Sequence, residues 1–192
     1  MQTDRQKEIV QVSLEIISEK GIQGLTIKNI ALKIGTSEPA IYRHFESKTH
    51  ILLSILETFK VFSQFAFKEE LDKDINSVEK ISNVFNKHFQ EFTKNPALVS
   101  VIFSEEIFTN EKLLIEKIAG IMKENEEVMQ KILRLGQTNN EIRSDLDPNI
   151  LSTVIMGSLR LFVKKWQFSN YSFNLNKKGE SLVEVVKQII NK

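Results

Sequence analysis

The stretch from Thr26 to Lys48, TIKNIALKIGTSEPAIYRHFESK, constrains the fold more than any other part of the chain. Ile27, Ile30, Ala31 and Ile34 recur at i, i+3, i+4 and i+7, the spacing of one helix face. Thr26 stands just before them, where a side-chain oxygen can accept an orphan amide hydrogen bond. Gly35 tolerates positive φ and ends the helix. Ser37 is placed to cap the next one, and Pro39 falls in its first turn, where a missing amide hydrogen costs nothing. Ile41 and Phe45, four apart, mark the buried side of this second helix. Two helices of about two turns each, joined by a short turn containing Gly, make a helix-turn-helix, whose second helix can enter the major groove of DNA.

The remaining side chains suit that task. Ser37, Pro39 and Ala40 lie at the end of the helix that meets base edges, where Ala40 can touch a thymine methyl and Ser37 can bond a base or phosphate. Tyr42, Arg43 and His44 can reach phosphate oxygens. Lys48 opens the next helix behind the cap Ser47, so its charge and the helix dipole act together on a backbone phosphate. Thr26 and Lys28, at the start of the first helix, complete the expected DNA-binding set. Spacing alone equally suits a plain helical hairpin with Tyr42 and Phe45 in its core.

A resemblance separates these readings. GIQGLTIKNIALKIGTSEPAIYRHFESKTHILLSIL is similar to the amino-terminal domain of TetR-family transcriptional regulators. The matching features are Gly21 and Gly24 before Thr26, the Ile30-Ala31 pair, Gly35, Ser37, the block Ile41-Tyr42-Arg43-His44-Phe45, Lys48 and Leu52-Leu53. The resemblance covers roughly the first quarter of the chain. It implies a DNA-binding regulator with a helical body that dimerises and takes a small effector.

The 192 residues are enough for one large or two small domains. The chain has no cysteine, which removes disulfides and thiolate metal sites. It has no long apolar run, and MQTDRQKEIV is too polar for a signal peptide, so a cytoplasmic protein away from membranes is expected. Net charge is only +1, so phosphate attraction must come from local placement of Lys28, Arg43, His44, Lys48 and either Arg5 or Lys7. That small number of contacts argues for a dimer.

Residues 4–20 read as a first helix, with Ile9, Val10, Ser13, Leu14 and Ile17 inward and Lys20-Gly21 closing it. A helix over 47–68 links residues 1–50, the DNA-binding domain, to residues 51–192, the effector-binding and dimerisation domain. Further helices are expected over 77–94 with Ser77 as cap, from Pro96 to near Phe108, from Asn110 towards Gln137 with a possible bend at Gly120, from Pro148 to about Phe168 behind the cap Asp147, and over 179–190. The fold class is all-α: an amino-terminal three-helix helix-turn-helix domain and a larger helical ligand-binding/dimerisation domain, about nine helices in total.

The last two helices are apolar over more than one stripe, as a helix buried on two sides must be. Val154, Gly157, Ser158 and Leu161, with Leu182, Val185, Val186 and Ile189, are the expected dimer surface. Both faces also suit a purely internal core. TetR-like regulators dimerise through their last two long helices, which favours a homodimer here.

Twelve of the thirteen phenylalanines follow residue 50. Phe85, Phe89, Phe92, Phe103, Phe108, Met122, Met129, Met156, Phe162 and Trp166 fall on inward faces, with His88 as the one titratable group on the Phe85 face. Such a set makes an ordinary aromatic core or lines an apolar cavity. The resemblance implies the second, with a small hydrophobic effector: an acyl chain, an aromatic or a hydrophobic drug. His88 would serve its polar head or be a satisfied core residue. No catalytic residues, metal ligands or cofactor motif stand out: there is no Gly-rich phosphate loop, HExxH or nucleophile elbow, and Glu105-Glu106 and Glu126-Glu127 are neighbours that diverge around a helix. The sequence therefore predicts not an enzyme but a regulator, a repressor released from double-stranded operator DNA by its effector. The competing reading is an all-helical lipid or small-molecule carrier with a helix-turn-helix that does not bind DNA.

Overall fold

A computed structural model describes residues 2–104 and 111–192. These residues form nine α-helices: α1 Asp4–Lys20, α2 Ile27–Ile34, α3 Glu38–Tyr42, α4 Lys48–Asp72, α5 Ser77–Lys94, α6 Pro96–Ile102, α7 Lys112–Thr138, α8 Pro148–Phe168 and α9 Leu175–Ile190, with a 3-10 turn at Ile22–Gly24. The all-α architecture expected from the sequence is present. Phe108 and Asn110, expected to end one helix and cap the next, lie outside the described residues.

The helices group into two compact units. One holds the chain up to Lys60 with Asn95–Ala119; the other holds Val61–Lys94 with Gly120–Lys192. The boundaries fall inside α4 and inside α7, and α7 continues through Gly120 without a break. The sequence assigned everything after residue 50 to the body, whereas α6 packs against α1 within the first unit.

In the first unit α1 braces both α2 and α6, and α2 packs on α3. Thr3 and Gln6 form a reciprocal capping box at the start of α1. The core is Ile9, Ile16, Leu25, Ile30, Ile41, Ile51 and Ile55. Ile16, not the expected Leu14, shares the buried stripe with Ile17.

In the second unit α5 packs most extensively on α9, and α9 also meets α8. Gly179 permits the α5–α9 approach: a Cβ there would lie 2.4 Å from the buried ring of Phe89. The last helix starts at Leu175 rather than 179 because Asn174 accepts a hydrogen bond from the Lys177 amide at 2.9 Å and Leu175 is buried. Asn76, not Ser77, caps α5 through a 2.8 Å bond from the Val78 amide; the Ser77 amide instead donates to Glu141 at 2.8 Å. That backbone hydrogen bond holds the Glu141 carboxyl below its ordinary range.

Candidate nucleic-acid interface and effector groove

The head is built by two local devices. Thr26 Oγ1 accepts from the Asn29 amide at 3.1 Å and fixes the start of α2. At its end Gly35 adopts φ 76° and ψ 38°, its amide donates to Leu32, and the Thr36 amide donates to Ala31 at 2.9 Å. This pairing satisfies the last carbonyls of α2 and turns the chain sharply into α3. There the expectation for Ser37 is corrected: its backbone carbonyl accepts the first bonds of α3, but its hydroxyl makes no capping hydrogen bond. The exposed hydroxyl remains available to a partner.

Ile41 and Phe45 are buried, and Tyr42 is 50% exposed. The opposite side of α3 therefore presents Pro39, Tyr42 and Arg43 to solvent, with Ala40 and His44 half-buried. Gln6 of α1 donates to the His44 carbonyl at 3.2 Å, tying the end of this segment to α1. Ser47 caps α4 through a 3.3 Å bond from the His50 amide, which places Lys48 at the positive end of that helix dipole. Among the described residues Lys28, Arg43 and Lys48 form no ion pair, whereas Arg5 and Lys7 pair with Glu8 and Asp4, and Lys33 pairs with Glu15 and Glu19. The bond from Lys33 holds the Glu19 carboxyl below its ordinary range. Lys28, Arg43 and Lys48 therefore keep a charge that no carboxylate among the described residues compensates.

The aromatic stripe of α5 is closely packed. Phe85 and Phe89 meet edge to face at 6.0 Å, Phe89 meets Phe162 at 5.8 Å, and Phe162 meets Phe173 at 5.8 Å. Phe92, Met129 and Trp166 are buried, Met156 is half-buried, and the space beside Phe85, Val183 and Val186 admits no water-sized guest. Met122, expected inward, is 49% exposed, since α7 turns Ile121 and Asn125 to the core instead. Phe103 belongs to the first unit, and Phe108 lies outside the described residues.

His88 is buried against the rings of Phe62, Phe67 and Phe92. Its Nδ1 is 2.7 Å from the Val84 carbonyl and its Nε2 is 3.3 Å from Ser63 Oγ. Asn125 donates to Ser63 Oγ at 2.7 Å. Burial pushes the His88 pKa down to about 4. Both ring nitrogens are therefore engaged within the core.

The large opening is elsewhere. A groove of about 980 Å³ runs between the second half of α4 and the middle of α7, with Val61, Phe65, Phe67 and Val128 as apolar wall and Lys68 and Lys131 among its polar residues. None of the residues expected to line the effector site borders it. The available signal was the Val61 and Phe65 pair, four apart and off the main stripe of α4, both now exposed. Next to the groove residues Glu69 and Leu71, Glu70 is fully buried and pairs with Lys73 at 2.6 Å and Lys87 at 2.7 Å, with Asn83 donating at 3.0 Å. Burial pushes the Glu70 carboxyl up, but these three partners outweigh it and hold it below the ordinary range. Lys80, also buried, donates to the Leu71 and Lys73 carbonyls and so satisfies the carboxy-terminal end of α4.

On α8 and α9 a second apolar face lies open. Val154 is 51% and Leu161 63% exposed, and Ile150, Val185 and Ile189 are exposed with them. Gly157 is exposed, and Ser158 and Leu182 are half-buried. Val186, expected in this face, points into the subunit's own core.

Residues 9–55 match the family of bacterial regulatory proteins named for TetR, and residues 60–190 match the carboxy-terminal region of YsiA-like proteins. The chain belongs to the TetR family. This TetR-family chain is a DNA-binding transcriptional regulator, of a family that is not enzymatic. It is 26% identical over 181 residues to the fatty acid metabolism regulator protein of Bacillus subtilis, covering 93% of this chain and 92% of that one. It is 23% identical over 172 residues to the nucleoid occlusion factor SlmA of Vibrio campbellii, covering 89% and 88%. Similar solved folds include FadR from Bacillus subtilis in complex with stearoyl-CoA, at TM-score 0.82, 24% identity, and coverage of 96% of this chain and 99% of that one. The ketosteroid regulator KstR2 of Mycobacterium tuberculosis matches at TM-score 0.82 and 20% identity, covering 100% and 97%. Among the described residues no helix is long and apolar enough to cross a membrane, and no cluster of His, Asp and Glu is arranged to hold a metal ion.

Proposed function

We propose that the protein is a cytoplasmic, homodimeric repressor whose two heads hold a pseudo-palindromic operator and which a long-chain acyl thioester releases. Tyr42, Arg43 and Lys48 position each head on phosphates, while Ser37, Pro39 and Ala40 face base edges. The open face of Val154, Leu161, Val185 and Ile189 joins two subunits, because an apolar surface of this extent is costly to leave in water.

The groove carries the choice of effector. Its volume of about 980 Å³ is at the upper end for small-molecule sites, Val61, Phe65, Phe67, Leu71 and Val128 give it an apolar wall, and Lys68 and Lys131, alongside the carboxylates Glu69, Asp72 and Glu124, offer positive charge for an anionic end. A fatty-acid regulator and a stearoyl-CoA complex among the relatives point to the same chemistry. One helix, α4, carries Lys48 at its start and Val61 and Phe65 in the groove. A ligand that prefers one arrangement of that helix shifts the population of DNA-competent dimers.

The test is fluorescence anisotropy of a duplex selected from a random library by the full-length protein. Palmitoyl-CoA should release it at micromolar concentration, and unchanged operator affinity at saturating palmitoyl-CoA would overturn the effector assignment. A salt series separates the carrier alternative: three cations from each head predict a slope of log K against log salt of about −5. A carrier shows no sequence-selective duplex binding at any salt.

A further inference from the structure

We infer that Asn125 reads the polar segment of the ligand in the α4–α7 groove, its Oδ1 accepting a hydrogen bond from a ligand N–H or O–H. The inference rests on the groove being the effector site. It assigns the site a preference for an apolar chain carried on an arm rich in amide and hydroxyl donors over the same chain ending in a bare carboxylate.

The orientation of Asn125 follows from three successive constraints. The Val84 carbonyl can only accept, so at 2.7 Å the proton must reside on His88 Nδ1. Burial keeps the imidazole neutral, so Nε2 is a bare lone pair and Ser63, 3.3 Å away, must donate its single hydroxyl hydrogen to it. Ser63 Oγ is then left only with acceptor capacity. Asn125, 2.7 Å from it, must present its amide nitrogen. The chain of partners thus fixes which branch of the carboxamide faces Ser63.

Asn125 is 6% exposed and lines the groove together with Phe67 and Val128. Among the described residues its side chain makes no other hydrogen bond. The remaining carbonyl oxygen is therefore an acceptor with no protein donor among the described residues, beside Phe67 and Val128 of the groove wall. A ligand donor satisfies it. A carboxylate set against it brings two acceptors together, which a nearly buried site penalises. Lys68 and Lys131, which form no ion pair among the described residues, border the same groove together with Glu69, Asp72 and Glu124, and the two lysines can take phosphate charge farther along the arm.

Binding of palmitoyl-CoA and of palmitate to the full-length protein at pH 7.5, followed by displacement of a fluorescent fatty acid, tests this. The parent should prefer the CoA ester by about tenfold or more, the scale of one hydrogen bond to a nearly buried group. Asn125→Leu should lower affinity for the ester about tenfold and leave palmitate unchanged. Ser63→Ala removes the acceptor that holds the carboxamide, lets it turn its N–H groups to the groove, and should shift selectivity towards palmitate. This second variant decides the matter if Asn125→Leu fails to fold. Selectivity unaltered in the variants, with palmitoyl-CoA still bound and operator still released, overturns the role of Asn125 alone. Failure of palmitoyl-CoA to bind the parent overturns both this role and the effector reading.

Discussion

Acidification probes the buried relay directly. His88 has a pKa of about 4 in the folded chain against an ordinary 6.5, because burial among aromatic rings disfavours the imidazolium. The unfolded chain therefore binds this proton more readily than the folded one. The stabilisation is complete above pH 6.5 and is lost as pH falls towards 4. The gap amounts to about 3 kcal/mol in full, of which about 2 kcal/mol is lost between pH 7.5 and pH 5. Protonation also puts a hydrogen on Nε2 facing Ser63 Oγ, which then receives two donors and must find a new acceptor for its own hydrogen. The assay is urea denaturation of the parent and of His88→Gln at pH 7.5, 6 and 5. Carboxylates held low, Glu70 among them, withdraw their stabilisation only as pH falls below 4.5, outside this window. The parent should lose about 2 kcal/mol more than His88→Gln across it. Parallel curves, differing by less than about 0.5 kcal/mol, would refute the picture of a neutral, enclosed imidazole.

Gly179→Ala drives a methyl into the Phe89 ring, which Phe85 and Phe162 prevent from retreating. It should cost about 1–3 kcal/mol, read as a lower urea midpoint with unchanged slope. Leu161→Glu puts a charge in the open face of α8 and should shift the solution mass from two subunits to one at micromolar concentration, with the monomer's helix content retained. Tyr42→Ala removes a half-exposed ring from α3 and should weaken operator binding about tenfold, with body stability unaltered; parental affinity would displace Tyr42 from the interface.

The head was legible because its signals are local. The cap at Thr26, the left-handed Gly35 and the buried Ile41 each depend on a few neighbours, and all appear where the spacing put them. Ser37 departs because a backbone carbonyl satisfied the first amides of α3, and composition cannot distinguish that from a side-chain cap. Periodicity placed Phe85, Phe89 and Phe92 inward correctly, yet it carries no information on whether large rings meet or leave space. Here Gly179 draws α9 in until the rings interlock. The groove escaped detection because its walls come from two helices distant in sequence, and each contributes residues off its main stripe. On α8 the double apolar arc was visible. Its assignment to core or partner needed the buried row of Leu151, Ile155, Leu159 and Val163 to be separated from the open row of Ile150, Val154 and Leu161.

The relay also bears on why this interior is not wholly apolar. Ser63, His88 and Asn125 stand among Phe62, Phe67 and Phe92, where aliphatic side chains of similar volume would avoid desolvating several polar groups. Hydrogen bonds recover that loss only where every member is satisfied. The His88 end is closed by Val84, and the Asn125 end stops at the groove with an acceptor unfilled by the described protein. A network serving only to lock three helices would gain by closing at both ends. One that opens onto a cavity couples the packing of α4, α5 and α7 to whatever donor arrives there, which is the property an effector site requires.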